Sequence, residues 1–257
     1  MYKRQNGELK KDERWNLLKE FTRLIRELNP DIVSMENVPL LEKQGVFRRF
    51  KNSIKKDGYE IEYRIVDCAE YGIPQKRRRL VLLASKIGKI SLPNIKTKQK
   101  TVKDAIKGLP KIKAGSFHKK DPIHLASNLI DLNLERIRLS KPGGTWRDWP
   151  EELRAECHRK KTGSTYSSVY ARMEWNKPSP TITTQFYRFG TGRFGHPTQD
   201  RALSLREGAI LQTFPKEYKF VEKENNFSSV RLGIHIGNAV PPKLQTCLLY
   251  TSPSPRD

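Results

Sequence analysis

Five apolar residues in succession, Leu80-Val81-Leu82-Leu83-Ala84, stand directly behind five polar ones, Gln75-Lys76-Arg77-Arg78-Arg79. A run that is apolar at every position has no solvent face. It predicts a strand covered on both sides in a layered sheet. The preceding segments supply the layers. Asp12 to Asn29 predicts an amphipathic helix, with Leu17, Leu18, Phe21, Leu24, Ile25 and Leu28 at three/four spacing, and Asn29-Pro30 stops it. Asp31 to Met35 predicts a short strand ending at Glu36-Asn37-Val38-Pro39. Phe47 to Lys56 predicts a second helix, ended by Asp57-Gly58. Tyr59, Ile61, Tyr63 and Ile65 alternate with Glu60, Glu62 and Arg64, the pattern of a half-buried strand. Helix, strand, helix, strand, strand is the order of an α/β fold.

The texture changes after about Ile87. Residues 88 to 195 are rich in Lys, Gly, Pro, Ser and Thr and predict a loop-rich basic insert. Regular pattern returns at Ser204 to Phe214, a short helix ended by Pro215. The chain has 257 residues, room for one large domain or a core with an insert. Fifty Lys and Arg against 28 Asp and Glu leave a net charge of +22, which points to a polyanionic partner, most often nucleic acid. A hydrophobic share of 36% excludes wholesale disorder. No apolar run approaches the roughly 18 residues of a membrane span, so no membrane partner is expected. The N-terminus is polar, without a secretory pattern, and a cytoplasmic protein is the expectation. Cys68, Cys157 and Cys247 form neither a disulfide framework nor a ligand-spaced zinc set. Cys157-His158, even with His196, lacks further spaced ligands, so no metal is expected.

Two stretches carry chemistry. Glu36-Asn37-Val38 sits at a strand end, where open α/β sheets bind ligands. A carboxyl there in an apolar surround can donate a proton to a ring nitrogen. Strand alternation places Arg77 and Arg79 on one face and Arg78 on the other. Two guanidiniums at the mouth of a buried strand can grip a carboxylate, a phosphate or a base carbonyl.

In their order, these stretches resemble the motifs of the cytosine-5 DNA methyltransferases. Met35 to Pro39 is similar to the family's Glu-Asn-Val motif, and Asp67 to Arg79 to the one ending Gln-x-Arg-x-Arg. Pro178 to Thr184 and Gly192 to Pro197 resemble the end of its target-recognition region. Arg201 to Glu207 with Leu211 to Pro215, and then Ile236 to Pro242, resemble the two motifs that follow. The resemblance implies an α/β fold: the second half of a Rossmann-like methyltransferase sheet with a loop-rich target-recognition insert. Residues 6–87 would be catalytic core, 88–200 the target-recognition region and 201–246 a return to the core. The strand Asp31 to Met35 would lie in the middle of a parallel sheet, so that missing neighbours would leave it an unpaired apolar edge.

The implied reaction moves a methyl group from S-adenosylmethionine to C5 of a cytosine flipped out of duplex DNA. Glu36 would protonate N3, Arg79 would hold O2 and orient Glu36, and Arg77 would be the second arginine on that face. Asn37 would fix the loop, and Asn238 would help bind the methionine end of the cofactor. Thr181 and Arg201 would touch DNA phosphates, whereas Arg206 and Glu207 would brace the recognition domain against the core. The family's Gly-rich cofactor loop and its Pro-Cys-Gln nucleophile loop have no match in these residues, and Cys68 is not the nucleophile by position. Part of the cofactor site would therefore be missing, and the chain alone is expected to be inactive. A cognate restriction endonuclease is a possible partner. The alternatives are a non-catalytic basic DNA-binding module and one half of a split methyltransferase.

The two ends read differently. Codons for Met1 to Gln5, taken as the reverse complement one base in, encode Cys247 to Thr251. An inverted DNA repeat of this kind resembles the transposase end of a sequencing adapter, as does the tail Ser252 to Asp257. Residues 1–5 and 247–257 are accordingly expected to be non-native, with Asn6 to Thr246 the natural segment.

Overall fold

A computed structural model describes residues 17–93, 97–160, 165–222 and 227–249. The predicted residues 1–5, 12–16 and 250–257 lie outside the described ones. The chain divides into two compact units. The first holds residues 1–66, 78–94 and 247–257; the second holds 67–77 and 95–246. This grouping places 201–246 with the insert, whereas the sequence reading assigns that stretch to the core.

The first unit is built from α1 (Leu17–Leu28), β1 (Ile32–Asn37), α2 (Gly45–Lys56), β2 (Glu60–Asp67) and β3 (Arg78–Ser85). The strands form a three-stranded sheet in the order β1-β3-β2. Leu80 to Ala84 occupy its centre, each at most 1% exposed, as the unbroken apolar run requires. Val33 and Met35 of β1 and Leu80, Leu82 and Ala84 of β3 form one core with Leu18, Ile25, Phe47, Phe50 and Ile54 of the two helices. Helix α1 ends where Asn29 adopts a left-handed φ of 45° and returns its N–H to the Ile25 carbonyl at 2.9 Å. That cap and the Pro30 behind it explain the stop. Only part of the predicted stripe is buried. Leu18 and Ile25 face the core, while Leu17 and Leu28 are 68% and 76% exposed.

One expectation is corrected. The strand read from Asp31 to Met35 lies at the edge of the described sheet, but its neighbour there runs antiparallel and not parallel. β1 stands at the end of the strand order and pairs antiparallel with β3, with Ile32 opposite Ser85 and Asn37 opposite Leu80. Apolar content reports burial and says nothing about the direction of the neighbouring strand.

The second unit contains α3 (Val102–Ile106), β4 (Phe117–His118), β5 (Asp121–Leu125), α4 (Asp131–Leu139), α5 (Glu156–Arg159), α6 (Leu205–Leu211), α7 (Ser229–Asn238) and α8 (Pro242–Leu249), the last running on into the first unit's residues. Short elements joined by loops match the predicted texture. All seven residues of α6 are buried, and a capping box between Ser204 and Glu207 starts the helix. Around it pack Val102, Ile106, Ile123, Ile182, Phe186 and Leu232. A second cluster joins Leu129, Ile137, Trp146, Trp149 and Phe189.

Candidate active site

Register alone brings Glu36 and Arg79 together. Glu36 lies opposite Val81 in the antiparallel pair, so Arg79, two residues earlier on β3, is its diagonal neighbour on the same face. The Arg79 guanidinium spans that diagonal, placing Nε 2.6 Å from Glu36 Oε1, with the side chains 15% and 16% exposed. The carboxylate oxygen lies off the N–H direction, so the contact is a charge pair and not an aligned hydrogen bond. Arg79 Nη1 donates to the Arg78 carbonyl at 2.8 Å. Asn37 closes the strand end, its Oδ1 accepting from the Val38 N–H at 2.8 Å. The pair joins an acid to a cation at a strand terminus and leaves hydrogen-bonding capacity on both.

Arg77 has a different place. It precedes β3 and belongs to the second unit. It is 3% exposed, and its Nη1 and Nη2 donate to the carbonyls of Ile182 and Ala239 at 3.2 and 3.4 Å. The reading that sets Arg77 beside Arg79 as a second substrate grip is therefore corrected: its guanidinium clamps main chain. Gln75, unassigned in the sequence reading, lies at the hub of the same region. Its Oε1 accepts from Ile182 N–H at 2.9 Å, and its Nε2 donates to Gln212 Oε1 at 3.0 Å. Gln212 in turn donates to the Ile236 carbonyl at 2.8 Å. Both glutamines are fully buried. Four of the sequence motifs thus meet through two amides, and the signal was available, since each glutamine sits inside a quoted motif.

Thr181 is half-buried, and its hydroxyl donates to the Lys76 carbonyl at 2.7 Å. Its proton is committed to positioning the backbone. Asn238, the last residue of α7, is exposed, and its amide makes no hydrogen bond among the described residues. Just before it, a Cβ on Gly237 would come within 2.4 Å of the Thr183 carbonyl, so only glycine lets the two backbones approach.

Arg201 is corrected more sharply. Expected at a DNA phosphate, it is 0% exposed. Its Nη1 and Nη2 grip the two oxygens of Glu207 at 2.7 Å each, and Nε reaches the Ile112 carbonyl at 3.2 Å. Burial pushes the Glu207 carboxyl up, yet the hydrogen bonds and charge of Arg201 outweigh it and hold the acid below its usual range. His196 packs beside the pair. Its Nδ1 accepts from Thr198 and Gln199 N–H at 3.1 and 3.0 Å, and burial lowers its pKa to about 4 although Glu207 opposes the shift. Arg206 forms a forked pair with Asp121 at 2.6 and 3.0 Å, both within the second unit. No metal-ligating cluster occurs among the described residues. His158 instead stacks on Trp146 at 4.4 Å, and Cys68 is buried.

Comparison with known proteins agrees with the motif order. The family model for C-5 cytosine-specific DNA methylase matches residues 4–251. The chain is 52% identical over 238 residues to Type II methylase M.HgiDII of Herpetosiphon aurantiacus, covering 90% of this chain and 67% of that protein. It is 35% identical over 250 residues to Type II methyltransferase M1.BsuMI of Bacillus subtilis, covering 95% of this chain and 56% of that one. The chain thus spans between about half and two thirds of the curated relatives it matches. Among solved structures, a DNA modification methyltransferase encoded within an E. coli prophage superimposes with a TM-score of 0.65 at 22% identity, covering 93% of this chain and 73% of that one. The S. pombe Dnmt2 methyltransferase gives 0.52 at 15% identity, covering 90% and 70%, so both likenesses speak for the α/β fold alone. With most of its length matched by the family model and half its residues shared with a Type II methylase, this chain belongs to the C-5 cytosine-specific DNA methylase family.

Proposed function

We propose that the chain carries the acid and recognition parts of a DNA methyltransferase that moves a methyl group from S-adenosylmethionine to C5 of a cytosine flipped from duplex DNA. The observation that carries the reading is the Glu36–Arg79 pair, 2.6 Å apart at the ends of β1 and β3. Attack at C6 of cytosine drives electron density toward N3 and O2. Glu36 supplies the proton at N3. Arg79 holds O2 and keeps the carboxyl aligned, and Asn37 fixes the strand end from which Glu36 projects. S-adenosylmethionine supplies the methyl group. The open amide of Asn238 suits its polar methionine end, and the Gly237 approach holds that amide in place. The strand order β1-β3-β2 fits the second half of a Rossmann-like sheet, and 88–200 serves as the target-recognition region. No helix among the described residues is long and apolar enough to cross a membrane. A cognate restriction endonuclease is the proposed cellular counterpart.

The test uses the enzyme that contains this chain. Glu36→Gln is expected to slow single-turnover methyl transfer by ~10²- to 10⁴-fold, the usual worth of a general acid, with DNA affinity kept. Full turnover in the variant would remove Glu36 from the acid role.

A further inference from the structure

The second unit carries a basic cleft apart from the residues assigned above. It has a volume of about 1070 Å³ and is lined by Lys111, Lys113, Lys119, Lys120, Arg138 and Phe117, among others. We propose that this cleft seats the phosphate backbone of duplex DNA, with Lys111 and Lys113 as its main contacts. The proposal rests on DNA being the substrate of this chain.

Three observations carry it. The first is uncompensated charge. None of the four lysine ammoniums makes an ion pair among the described residues. The acids beside them are taken elsewhere. Asp121, next to the hairpin tip, is held in a forked pair by Arg206. Asp200, on the cleft wall, is held by the buried Arg172, with Arg138 only at 3.9 Å. Buried arginines thus neutralise the local carboxylates, and the lysines are left to attract an external anion.

The second is stiffness. Lys119 and Lys120 form the two-residue tip between β4 and β5, with His118 paired to Asp121. The other wall is tied at Ile112, whose N–H donates to Gln199 Oε1 at 3.1 Å and whose carbonyl accepts from Arg201 Nε at 3.2 Å. Arg201 is thus a positioning residue. It holds the backbone from which Lys111 and Lys113 project, so the phosphate contact expected of Arg201 falls to its lysine neighbours.

The third is shape and chemistry. Phe117, 58% exposed, lines the cleft together with Ile112, Ala114 and Leu134. A cleft of this volume, lined by several cations and an exposed aromatic ring, suits a charged backbone followed over several residues, and it is larger than one isolated phosphate needs.

The experiment measures duplex DNA affinity of the 257-residue chain, carried on a solubility tag, against salt concentration. Lys111→Gln/Lys113→Gln is compared with Lys55→Gln/Lys56→Gln, an exposed pair on α2 that removes equal charge from the first unit. The cleft variant is expected to reduce the slope of log K against log salt by about 1.8, since each phosphate contact contributes about 0.9. The α2 variant should leave the slope within error of the parent. A cleft variant with the parent's slope, or one matched by the α2 variant, overturns the cleft. A parent chain that binds no duplex DNA overturns the substrate reading itself. Unchanged circular dichroism confirms that the exposed lysines were not needed for folding.

Discussion

Two carboxylate–guanidinium pairs in this molecule invite comparison. Arg201 and Glu207 are 0% and 1% exposed, meet through two parallel hydrogen bonds, and have their remaining polar atoms satisfied by main chain and by Gln199. Glu36 and Arg79 meet through one off-axis contact at a strand mouth, 16% and 15% exposed. The first pair is saturated and has nothing left to offer a ligand. The second is constrained in position by strand register yet keeps free hydrogen-bonding capacity. In the proposed reading, chemistry and scaffolding use the same two residue types. What separates them is how fully each is solvated by protein.

The comparison breaks first at the level of the whole reaction. A poised acid without a thiolate transfers nothing, because attack at C6 needs a nucleophile within bonding reach. None of Cys68, Cys157 and Cys247 stands in a Pro-Cys-Gln sequence, and Cys68 is 0% exposed. The 257-residue chain incubated with labelled S-adenosylmethionine and cytosine-rich duplex DNA should therefore transfer no label. Label above a no-protein control would make Cys68 the first residue to substitute.

The next largest effect falls on the saturated pair. Glu207→Ala strands a buried Arg201, and breaking one side of a buried pair costs about 3–5 kcal/mol. Denaturant unfolding should show that loss. A cost under about 1 kcal/mol would mean that water reaches the site and that the contrast with Glu36 is one of degree.

These two pairs also show what the sequence could disclose. Glu36 and Arg79 were legible because both sit at strand ends flagged by punctuation, Asn37-Val38-Pro39 on one side and the apolar run from Leu80 on the other. Arg77 and Arg201 were misplaced for one shared reason. In a chain of net charge +22, a buried arginine looks the same as one that meets DNA, since one-dimensional pattern carries no burial for a residue within a basic run. The α/β class followed from the alternation of helical and strand periods. The direction of β1 did not, because pairing is a long-range choice that apolarity does not encode. Leu17, Leu24 and Leu28 fit the helical period yet stay exposed, so the period located the helix without locating its partner.

Acidity offers a graded way to sharpen the contrast. His196 has a folded pKa of about 4, below its ordinary value near 6.5, so the fold prefers the neutral ring. The unfolded chain binds the extra proton between those values. Stability is therefore complete above about pH 6.5 and falls as pH drops toward 4, by roughly 3 kcal/mol in all. Glu207, also held below its usual range, adds loss of the same sign at lower pH. His196→Gln should flatten the limb between about pH 6.5 and 4. An unflattened limb would assign it to other groups.

The smallest expected effect is the most discriminating. Arg79 is the one arginine here that should matter greatly to chemistry and hardly at all to anything else. Its side chain is 15% exposed and turned to Glu36, so it adds little to the outward field that gathers phosphates. Its ion pair is single, off-axis and part-exposed, so its loss should cost folding less than the loss of the saturated Arg201–Glu207 pair. Arg79→Ala should thus leave non-specific duplex affinity within about twofold and the salt slope within less than one contact of about 0.9. A slope reduced by a full contact would place Arg79 on the DNA backbone, and Glu36 would then lose the group that orients it. An unchanged slope, with methyl transfer lost in the enzyme that contains this chain, would locate the function of Arg79 in the base pocket.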